Sequence, residues 1–325
     1  MTADRRYFIV GGAGFIGSHF TDRLLADAAT EVVTLYDNFS SGREWHYADH
    51  RKDGRLAVVR ADVKDLDRLT AAMAGHGTVI HLASNPDIAR AASEPAVDFV
   101  EGTLLTHNVV EALRINGGGR ILYASGSGIY GDLGEAEAGE DHGPLLPVST
   151  YGASKLAGEA MISAYAFMFG LTGAAFRFGN VVGPRQTHGV GFDFARRLLK
   201  EPGHLDILGD GSQSKSYIHV DDVVSAVLLA KDKAPRPFAA YNVATGDYVT
   251  VAEIARLAVE CLGLDPAAVE FRYAGGKRGW KGDVPVVRLS TDRIQALGWR
   301  CQRPTREALR DSILAMLPDL RAGRL

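Results

Sequence analysis

Short apolar runs alternate with amphipathic stretches along the first half of the chain. The apolar runs are rich in β-branched and aromatic residues, a composition typical of buried strands. These predicted strands lie at residues 7–10, 31–36, 56–60, 79–83, 121–124 and 174–177. Apolar residues recur at helical spacing between them, at residues 18–28, 66–73, 96–115 and 155–169. Strands separated by helices form right-handed crossovers, so the sequence predicts an α/β fold with a doubly wound parallel sheet.

The pattern changes after Asn180, where the predicted elements become shorter and turns with glycine or proline become frequent. Thr250 and Glu253 have the spacing of a capping box, in which each side chain binds the other residue's backbone N–H. Helices are predicted at residues 192–200, 220–231 and 251–262, and strands at residues 206–208 and 240–243.

This change of pattern predicts two domains. We expect residues 1–179 to form a first domain built on the parallel sheet, to which residues 217–244 return. We expect residues 180–216 and 245–325 to form a smaller substrate-binding lobe. No repeat and no low-complexity linker separates the two parts, so the chain is expected to cross between them several times.

The assignment of the first domain depends on a glycine-rich turn, GGAGFIG, between the first predicted strand and the first predicted helix. Gly11 permits a tight turn, Gly14 lets the backbone approach a pyrophosphate, and Gly17 lets the helix pack on the strand. Phe15 and Ile16 lie at the new helix N-terminus, whose N–H groups would face phosphates. The turn therefore predicts that residues 1–179 form a dinucleotide-binding domain of the Rossmann type.

Polar residues follow the next two strands, where a cofactor is expected in this fold. Asp37 lies about twenty residues past the turn, where a carboxylate accepts hydrogen bonds from ribose hydroxyls and repels a 2′-phosphate. This favours NAD over NADP, since Arg43 a few residues later is most simply a solvated loop residue. Asp62 and Val63 either bracket the adenine or serve as a loop acid and a core valine.

Tyr151 and Lys155 are four residues apart and would lie on one face of a helix. A phenol has a reference pKa of about 10, too high for a base at neutral pH. A nearby ammonium and a positive nicotinamide ring both favour the phenolate, so we expect them to lower the pKa of Tyr151. The pair then predicts removal of a hydroxyl proton while hydride leaves the same carbon.

Composition narrows the classes of partner. The net charge of −3 provides no basic footprint for nucleic acid or an acidic membrane surface. The two cysteines, Cys261 and Cys301, lie far apart without metal-ligand spacing, so no metal site is expected. A polar N-terminus and the lack of a long apolar run lead us to expect a cytoplasmic protein.

The motifs taken together resemble the extended short-chain dehydrogenase/reductase family, in its nucleoside-diphosphate-sugar epimerase/dehydratase branch. The resemblance covers nearly the whole chain, from about Tyr7 to Trp299. Its motifs are GGAGFIGS, YDNFSSG, HLASNPD, YGASKLAGE, RFGNVVGPR, GDGSQSKSYIHVDDV and GKRGWKGD. The order and spacing of these motifs is most similar to that of sugar 4-epimerases.

The resemblance implies roles for individual residues. Tyr151 would be the base and Lys155 its partner, and both would also contact NAD. Further cofactor contacts are expected at Asn38, Asp62, Val63, Leu82, Ala83 and Ser84. Asn180, Lys215 and Arg278 would bind the sugar-nucleotide diphosphate, although each cation could also be solvated surface charge. A nucleoside-diphosphate sugar, most simply a UDP-sugar, is the expected substrate.

The chain departs from the family pattern in three respects. The usual catalytic serine or threonine falls on Gly126, and either neighbour, Ser125 or Ser127, could supply the hydroxyl to the substrate; we prefer Ser127. Ser127 and Gly128 stand where dehydratases carry an acidic pair, so the acid and base for elimination of water are missing. Lys215 replaces the usual arginine and cannot make its bidentate contact.

The resemblance implies an NAD-dependent 4-epimerase that works through a transient 4-keto sugar without net redox change. The alternatives are another reaction of the same branch, namely dehydration, decarboxylation or net oxidoreduction, and a non-catalytic dinucleotide-binding protein. The family also implies a homodimer that pairs the helices predicted at residues 96–115 and 155–169. Phe167, Met168 and Phe169 could belong to that interface or to a buried core.

Overall fold

The structure, a computed structural model, describes residues 3–235 and 237–323. The strands among these residues are β1 (Arg6–Val10), β2 (Val32–Asp37), β3 (Leu56–Arg60), β4 (Thr78–His81), β5 (Arg120–Gly126), β6 (Glu137–Ala138), β7 (Thr172–Phe178), β8 (Asn180–Val182), β9 (His204–Ile207), β10 (Ser214–Lys215), β11 (Tyr217–His219), β12 (Phe238–Val243), β13 (Val249–Thr250), β14 (Glu270–Tyr273) and β15 (Arg288–Leu289). The α-helices are α1 (Phe15–Leu25), α2 (Leu66–Met73), α3 (Leu104–Ile115), α4 (Thr150–Phe169), α5 (Val190–Lys200), α6 (Val220–Lys233), α7 (Val251–Leu262), α8 (Asp292–Ala296) and α9 (Thr305–Arg321).

Within the described residues, seven strands form one parallel sheet in the order β12-β7-β5-β4-β1-β2-β3. The central strand β1 pairs with β2 on one side and with β4 on the other, so that Tyr7 lies opposite both Val33 and Thr78. The strand order reverses at this point, and ligands of such sheets bind beyond the carboxyl ends of the strands there. The predicted doubly wound parallel sheet is confirmed.

Helices cover the sheet, which explains why its strands are almost continuously apolar. Phe8 and Val10 of β1 are fully buried with Val79 of β4 and Ile121 of β5 in one core cluster. Val109 of α3 closes that cluster. None of the helices in the described ranges combines the length and the apolar character needed to cross a membrane.

The chain divides into two compact units. The first comprises Met1–Ile129, Ser149–Arg177 and Ala226–Tyr241, and the second comprises Tyr130–Val148, Phe178–Ser225 and Asn242–Leu325. These bounds differ from the expected ones in two places. The sequence assigned residues 130–148 to the first domain, but β6 pairs with β15 of the second unit. The returning segment expected at 217–244 is also shorter, because only Ala226–Tyr241 belongs to the first unit.

The second unit has its own core, built by three helices. Leu198 of α5, Ile254 of α7 and Leu309 of α9 meet there with almost no exposure. The helix α7 spans the residues that were predicted for it. Its capping box is confirmed, because Thr250 Oγ1 accepts from the N–H of Glu253 at 3.2 Å and Glu253 accepts from the N–H of Thr250 at 2.7 Å.

Two predicted helices begin or continue differently in the structure. The helix expected at 155–169 begins at Thr150, because Ser149 caps it by accepting from the N–H of Gly152 at 3.1 Å. Tyr151 therefore lies in its first turn. The helix expected at 96–115 is interrupted by a π-helical turn at Phe99–Thr103, and α3 begins only after it.

Candidate active site

The glycine-rich turn has the backbone geometry that glycine permits. Gly11 has φ of +79°, and a Cβ there would lie 2.9 Å from the backbone nitrogen of Ala83. Gly17 was expected to let the helix pack on the strand, but a Cβ there would instead meet the carbonyl oxygen of Gly12 at 2.6 Å. Gly17 therefore packs the helix against the turn itself. Gly12 is the glycine of this turn that lies close to β1, because a Cβ there would lie 2.9 Å from the oxygen of Ile9.

The first turn of α1 is open to an anion. Gly14 is the N-cap and has no side chain to cap the helix, so the N–H groups of the first turn are free to bind a ligand. A Cβ at Gly14 would contact only the oxygen of Gly11, at 3.3 Å. The helix dipole adds partial positive charge at this end. A diphosphate therefore fits this turn on both geometric and electrostatic grounds.

The carboxylate of Asp37 lies beside the same turn at the end of β2. It accepts hydrogen bonds from the N–H groups of Ala13 at 3.0 Å and Phe39 at 2.7 Å. Burial raises the pKa of Asp37, and these two hydrogen bonds oppose that rise. Each oxygen has one contact of this kind and retains a lone pair for a further donor, such as a ribose hydroxyl.

The structure brings the other predicted cofactor residues to the same edge of the sheet. Asn38 donates to the carboxylate of Asp62 at 3.1 Å, which links the segments after β2 and β3. The N–H groups of Leu82 and Ala83 both donate to the oxygen of Val10, which places the segment after β4 against the turn. Val63 is buried in the core cluster, in line with the core interpretation of this residue.

Tyr151 and Lys155 lie on one face of α4, as predicted. The ammonium nitrogen of Lys155 is 5.5 Å from the centroid of the Tyr151 ring and donates to the oxygen of Ala124 at 2.8 Å. Burial lowers the pKa of Lys155 to about 8, although Asp98 and Glu159 raise it. The lysine is therefore mostly charged at neutral pH and loses its charge within a moderately alkaline range.

The pKa of Tyr151 in the chain alone is raised, whereas the sequence argument expected the ammonium and a bound nicotinamide ring to lower it. Burial raises it to about 12, a hydrogen bond with Ser84 opposes the rise, and the carboxylate of Asp98 adds to it. The sequence argument counted the nearby ammonium but not the loss of water around the phenol. Without a further positive charge, this phenol stays protonated at neutral pH.

Sequence reasoning missed Asp98. Its buried carboxylate accepts hydrogen bonds from one residue next to Tyr151 and from one residue next to Ser84. It accepts from Thr150, the residue before Tyr151, at 2.6 Å, and from Asn85, the residue after Ser84, at 2.9 Å. The loop after β4 and the start of α4 are thereby tied together. The one signal in the sequence was an acidic residue inside an apolar, helix-like stretch.

The two candidate serines have different surroundings. Ser125 is buried and donates to Glu159 at 2.5 Å, and Glu159 forms a buried ion pair with Arg177 at 2.8 Å. The hydroxyl hydrogen of Ser125 is thus committed to a carboxylate. Ser127 is half-buried at the start of a short 3-10 helix, Ser127–Tyr130. A Cβ at Gly126 would meet no atom within 4 Å. Steric crowding therefore does not explain why this chain lacks the usual serine or threonine at that position.

In the second unit, Asp283 brings the two predicted cations together. Its carboxylate accepts from Lys215 at 2.6 Å and from the N–H of Gly279 at 3.0 Å. Arg278 donates to the backbone oxygen of Asp283 and forms an ion pair with Asp132 at 2.7 Å. Both cations therefore have carboxylate partners, and the side chain of Arg278 is 45% exposed in its ion pair.

Asn180 lies close in structure to the lysine of this group. It is exposed on β8 and donates to the oxygen of Ser216 at 3.3 Å, and Ser216 follows Lys215 directly. The three residues predicted to bind the substrate diphosphate thus all belong to the second unit. Residues 3–235 and 237–323 contain no group of three or more metal-ligating side chains suited to an ion.

The fold and the dinucleotide turn define a class of nucleotide-dependent enzyme, and comparison with known proteins identifies its family. The sequence model described as "NAD dependent epimerase/dehydratase family" matches residues 7–244. The chain belongs to this family of nucleoside-diphosphate-sugar enzymes, and NAD is its cofactor. The recognition of an extended short-chain dehydrogenase/reductase from its motifs is confirmed.

Relatives with two different reactions are equally similar to the chain. A UDP-glucose 4-epimerase of Mycolicibacterium smegmatis is 32% identical, with 95% of this chain and 97% of that protein covered. A dTDP-glucose 4,6-dehydratase of an Actinoplanes species is also 32% identical, with 82% and 84% covered. The crystal structure of Thermus thermophilus UDP-glucose 4-epimerase in complex with NAD is 32% identical, covers 98% of this chain and 99% of its own, and has a TM-score of 0.83.

Proposed function

We propose that this protein is an NAD-dependent nucleoside-diphosphate-sugar 4-epimerase. The observation that carries the proposal is a retained Tyr151–Lys155 pair beside Ser127 and Gly128, which provide neither an acid nor a base for elimination. An enzyme that removes water across two carbons needs such groups. A 4-epimerase needs only one proton acceptor at the 4-hydroxyl and a cofactor that oxidises and then reduces the same carbon.

The residues around the glycine-rich turn would hold the cofactor. We assign the diphosphate to the turn at Gly14 and to the N–H groups of Phe15, Ile16 and Gly17, and the adenosine ribose to Asp37. Asn38 and Asp62 would border the adenine, and Leu82, Ala83 and Ser84 would border the dinucleotide after β4. When bound, NAD supplies a two-electron acceptor with a positively charged nicotinamide ring.

Tyr151 would exchange the proton of the 4-hydroxyl. Its pKa of about 12 in the chain alone, with Lys155 already in place, is too high for this role, so the positive charge of the bound cofactor would have to favour the phenolate. Ser127 would share the proton with the substrate, because Ser125 is already committed to Glu159. Lys155 would bind the nicotinamide ribose through its remaining N–H groups.

Asn180, Lys215 and Arg278 would bind the diphosphate of the substrate. Two cations suit a diphosphate, and the carboxylates of Asp283 and Asp132 hold them in position in its absence. A UDP-sugar is our preferred substrate. A fixed diphosphate would let the 4-keto sugar turn its other face to the cofactor, so that reduction returns the opposite configuration.

The first experiment is NMR of the purified protein with UDP-, dTDP- and GDP-sugars, without added NAD. We expect the C4 epimer of one of them, and no product from the Tyr151→Phe variant. Conversion to a 4-keto-6-deoxy sugar would instead support dehydration, the reaction of the equally similar Actinoplanes relative. NAD found in the protein, but no product with any sugar, would favour a non-catalytic role and overturn the proposal.

We also propose that the protein is a homodimer in the cytoplasm. Phe167 and Met168 at the end of α4 are each 72% exposed, so they are not part of a buried core. Their exposure favours a contact with another chain. Light scattering should give twice the chain mass, and Phe167→Glu with Met168→Glu should give the monomer mass. A monomer in the unaltered protein would contradict this proposal, and cell fractionation tests the location.

A further inference from the structure

The central residue of the glycine-rich turn is held by side chains and backbone from a distant part of the sequence. The N–H of Ala13 donates to Asp37 at 3.0 Å. Its carbonyl oxygen accepts two hydrogen bonds, from the N–H of Arg43 at 2.9 Å and from Nδ1 of His46 at 2.6 Å. Ala13 and His46 are both buried, so water cannot replace either contact. A carbonyl accepts only, which requires that Nδ1 of His46 carries a hydrogen.

The segment that contains His46 lies close to the turn over several residues. A Cβ at Gly42 would lie 2.8 Å from Asp37 Oδ1 and 3.0 Å from the Cβ of Ala13. His46 belongs to the short 3-10 helix Glu44–His50, whose last residue, His50, contacts Asp22 of α1 at 2.7 Å. The same short helix therefore supports the turn through His46 and the helix after it through His50.

The planarity of the peptide bond explains how His46 could affect the cofactor. The carbonyl of Ala13 and the N–H of Gly14 belong to one planar unit, so holding the oxygen also fixes the direction of the N–H. That N–H closes the turn by donating to the oxygen of Gly11 at 3.2 Å. The position of this peptide sets where α1 begins and where its N-terminal N–H groups point.

We propose that His46 is a positioning residue for NAD, which holds the Ala13–Gly14 peptide so that the first turn of α1 faces the cofactor diphosphate. The role depends on one hydrogen bond from Nδ1, whichever charge the imidazole carries. It is independent of the reaction that follows, so it stands or fails separately from the proposed epimerase activity.

The test compares three single variants of the full chain. His46→Leu removes the donor, whereas His46→Asn keeps an N–H at the position that Nδ1 occupies along the side chain. His50→Gln is the matched control, because it alters the same 3-10 helix at a residue that contacts α1 rather than the turn. NAD affinity is measured by calorimetry on nucleotide-free protein, and folding by thermal unfolding of the same samples without NAD.

We expect His46→Leu to weaken NAD binding about tenfold, because part of the binding free energy would then go into ordering the Ala13–Gly14 peptide. His46→Asn should bind within about threefold of the unaltered protein, and His50→Gln should bind as tightly as it does. Unchanged binding by His46→Leu would overturn the proposal. So would equal losses in His46→Leu and His46→Asn, or a loss in His50→Gln as large as in His46→Leu, because these results would indicate a general structural effect.

Discussion

The two groups of ionisable side chains differ in their access to water. We define the α4 cluster as Ser125, Tyr151, Lys155, Glu159 and Arg177. All of them are buried except Tyr151, which is half-buried, and Lys155 is only 4% exposed. The Asp283 cluster, defined as Asp132, Lys215, Arg278 and Asp283, is more open. The side chains of its two cations are 23% and 45% exposed.

This difference in exposure indicates that the charged groups of the two clusters have different roles. Burial in the α4 cluster moves the pKa of Tyr151 up and that of Lys155 down, which alters how readily each group holds a proton. In the Asp283 cluster each cation keeps a carboxylate partner and access to water, an arrangement suited to exchanging one anion for another. The first cluster therefore suits proton transfer, and the second suits reversible binding of an anionic ligand.

The largest effect is expected from Tyr151→Phe, which removes the proposed proton acceptor without changing the shape of the ring. The turnover number should fall about a hundred- to ten-thousand-fold. The variant should still fold and should still bind NAD, although it lacks the hydroxyl as one cofactor contact. Tyr165→Phe, on the same helix, is the control, because its hydroxyl contacts Glu111 rather than the cluster. Retention of a tenth of the activity in Tyr151→Phe would contradict the assignment.

The next effect concerns the stability of the α4 cluster. Glu159→Gln would leave the buried guanidinium of Arg177 without its counter-ion and should lower the free energy of unfolding by about 3–5 kcal/mol. Denaturant unfolding of the NAD-bound protein measures this change. A double variant, Glu159→Leu with Arg177→Met, should recover most of the loss. A loss below about 1 kcal/mol in the single variant would mean that water reaches the ion pair.

A smaller change in binding is expected when the Asp283 cluster loses a cation. Lys215→Met should raise KM for the nucleotide sugar about ten- to a hundred-fold, the range for a lost hydrogen bond to a charged group. The turnover number should change much less. Lys200→Met, an exposed residue of α5, is the control with the same substitution. A fall in the turnover number at unchanged KM would show that Lys215 acts in the reaction rather than in binding.

The pH dependence of kcat/KM tests the role of Lys155 in the α4 cluster. Burial lowers its pKa from 10.5 to about 8, so kcat/KM should fall about tenfold per pH unit above pH 8 as the ammonium is lost. Loss of the ammonium does not itself favour unfolding. The unfolded chain holds this proton up to pH 10.5, so the contribution of Lys155 to the free energy of unfolding rises between pH 8 and 10.5. Activity that stays level to pH 10 would contradict the assigned role.

The smallest effect is expected at Gly126, where a serine side chain has room. Gly126→Ser should change the free energy of unfolding by no more than about 0.5 kcal/mol and the turnover number by about threefold at most. Ser127→Ala should lower the turnover number at least about tenfold. Activity assays of both variants measure this difference. A large gain in Gly126→Ser, with no loss in Ser127→Ala, would show that Ser127 does not supply the hydroxyl.

Several elements were predictable because their signals are local. The strand at 56–60 and the helices at 66–73 and 251–262 have the predicted bounds. Strong apolar periodicity and the capping box at Thr250 explain this agreement. The bounds of α4 were missed at the N-terminal side, because apolar periodicity gave no weight to the cap at Ser149.

The sequence by itself determined the parallel sheet, the dinucleotide turn, NAD and the residues of the Tyr151–Lys155 pair, since all of these follow from residue type and short-range spacing. Only the tertiary structure decided the state of those residues. The raised pKa of Tyr151, the commitment of Ser125 to Glu159 and the meeting of Lys215 with Asp283 depend on burial and on contacts between distant segments. Loss of water around a side chain and pairing between distant segments determine this pKa and these contacts, and a local sequence pattern specifies neither.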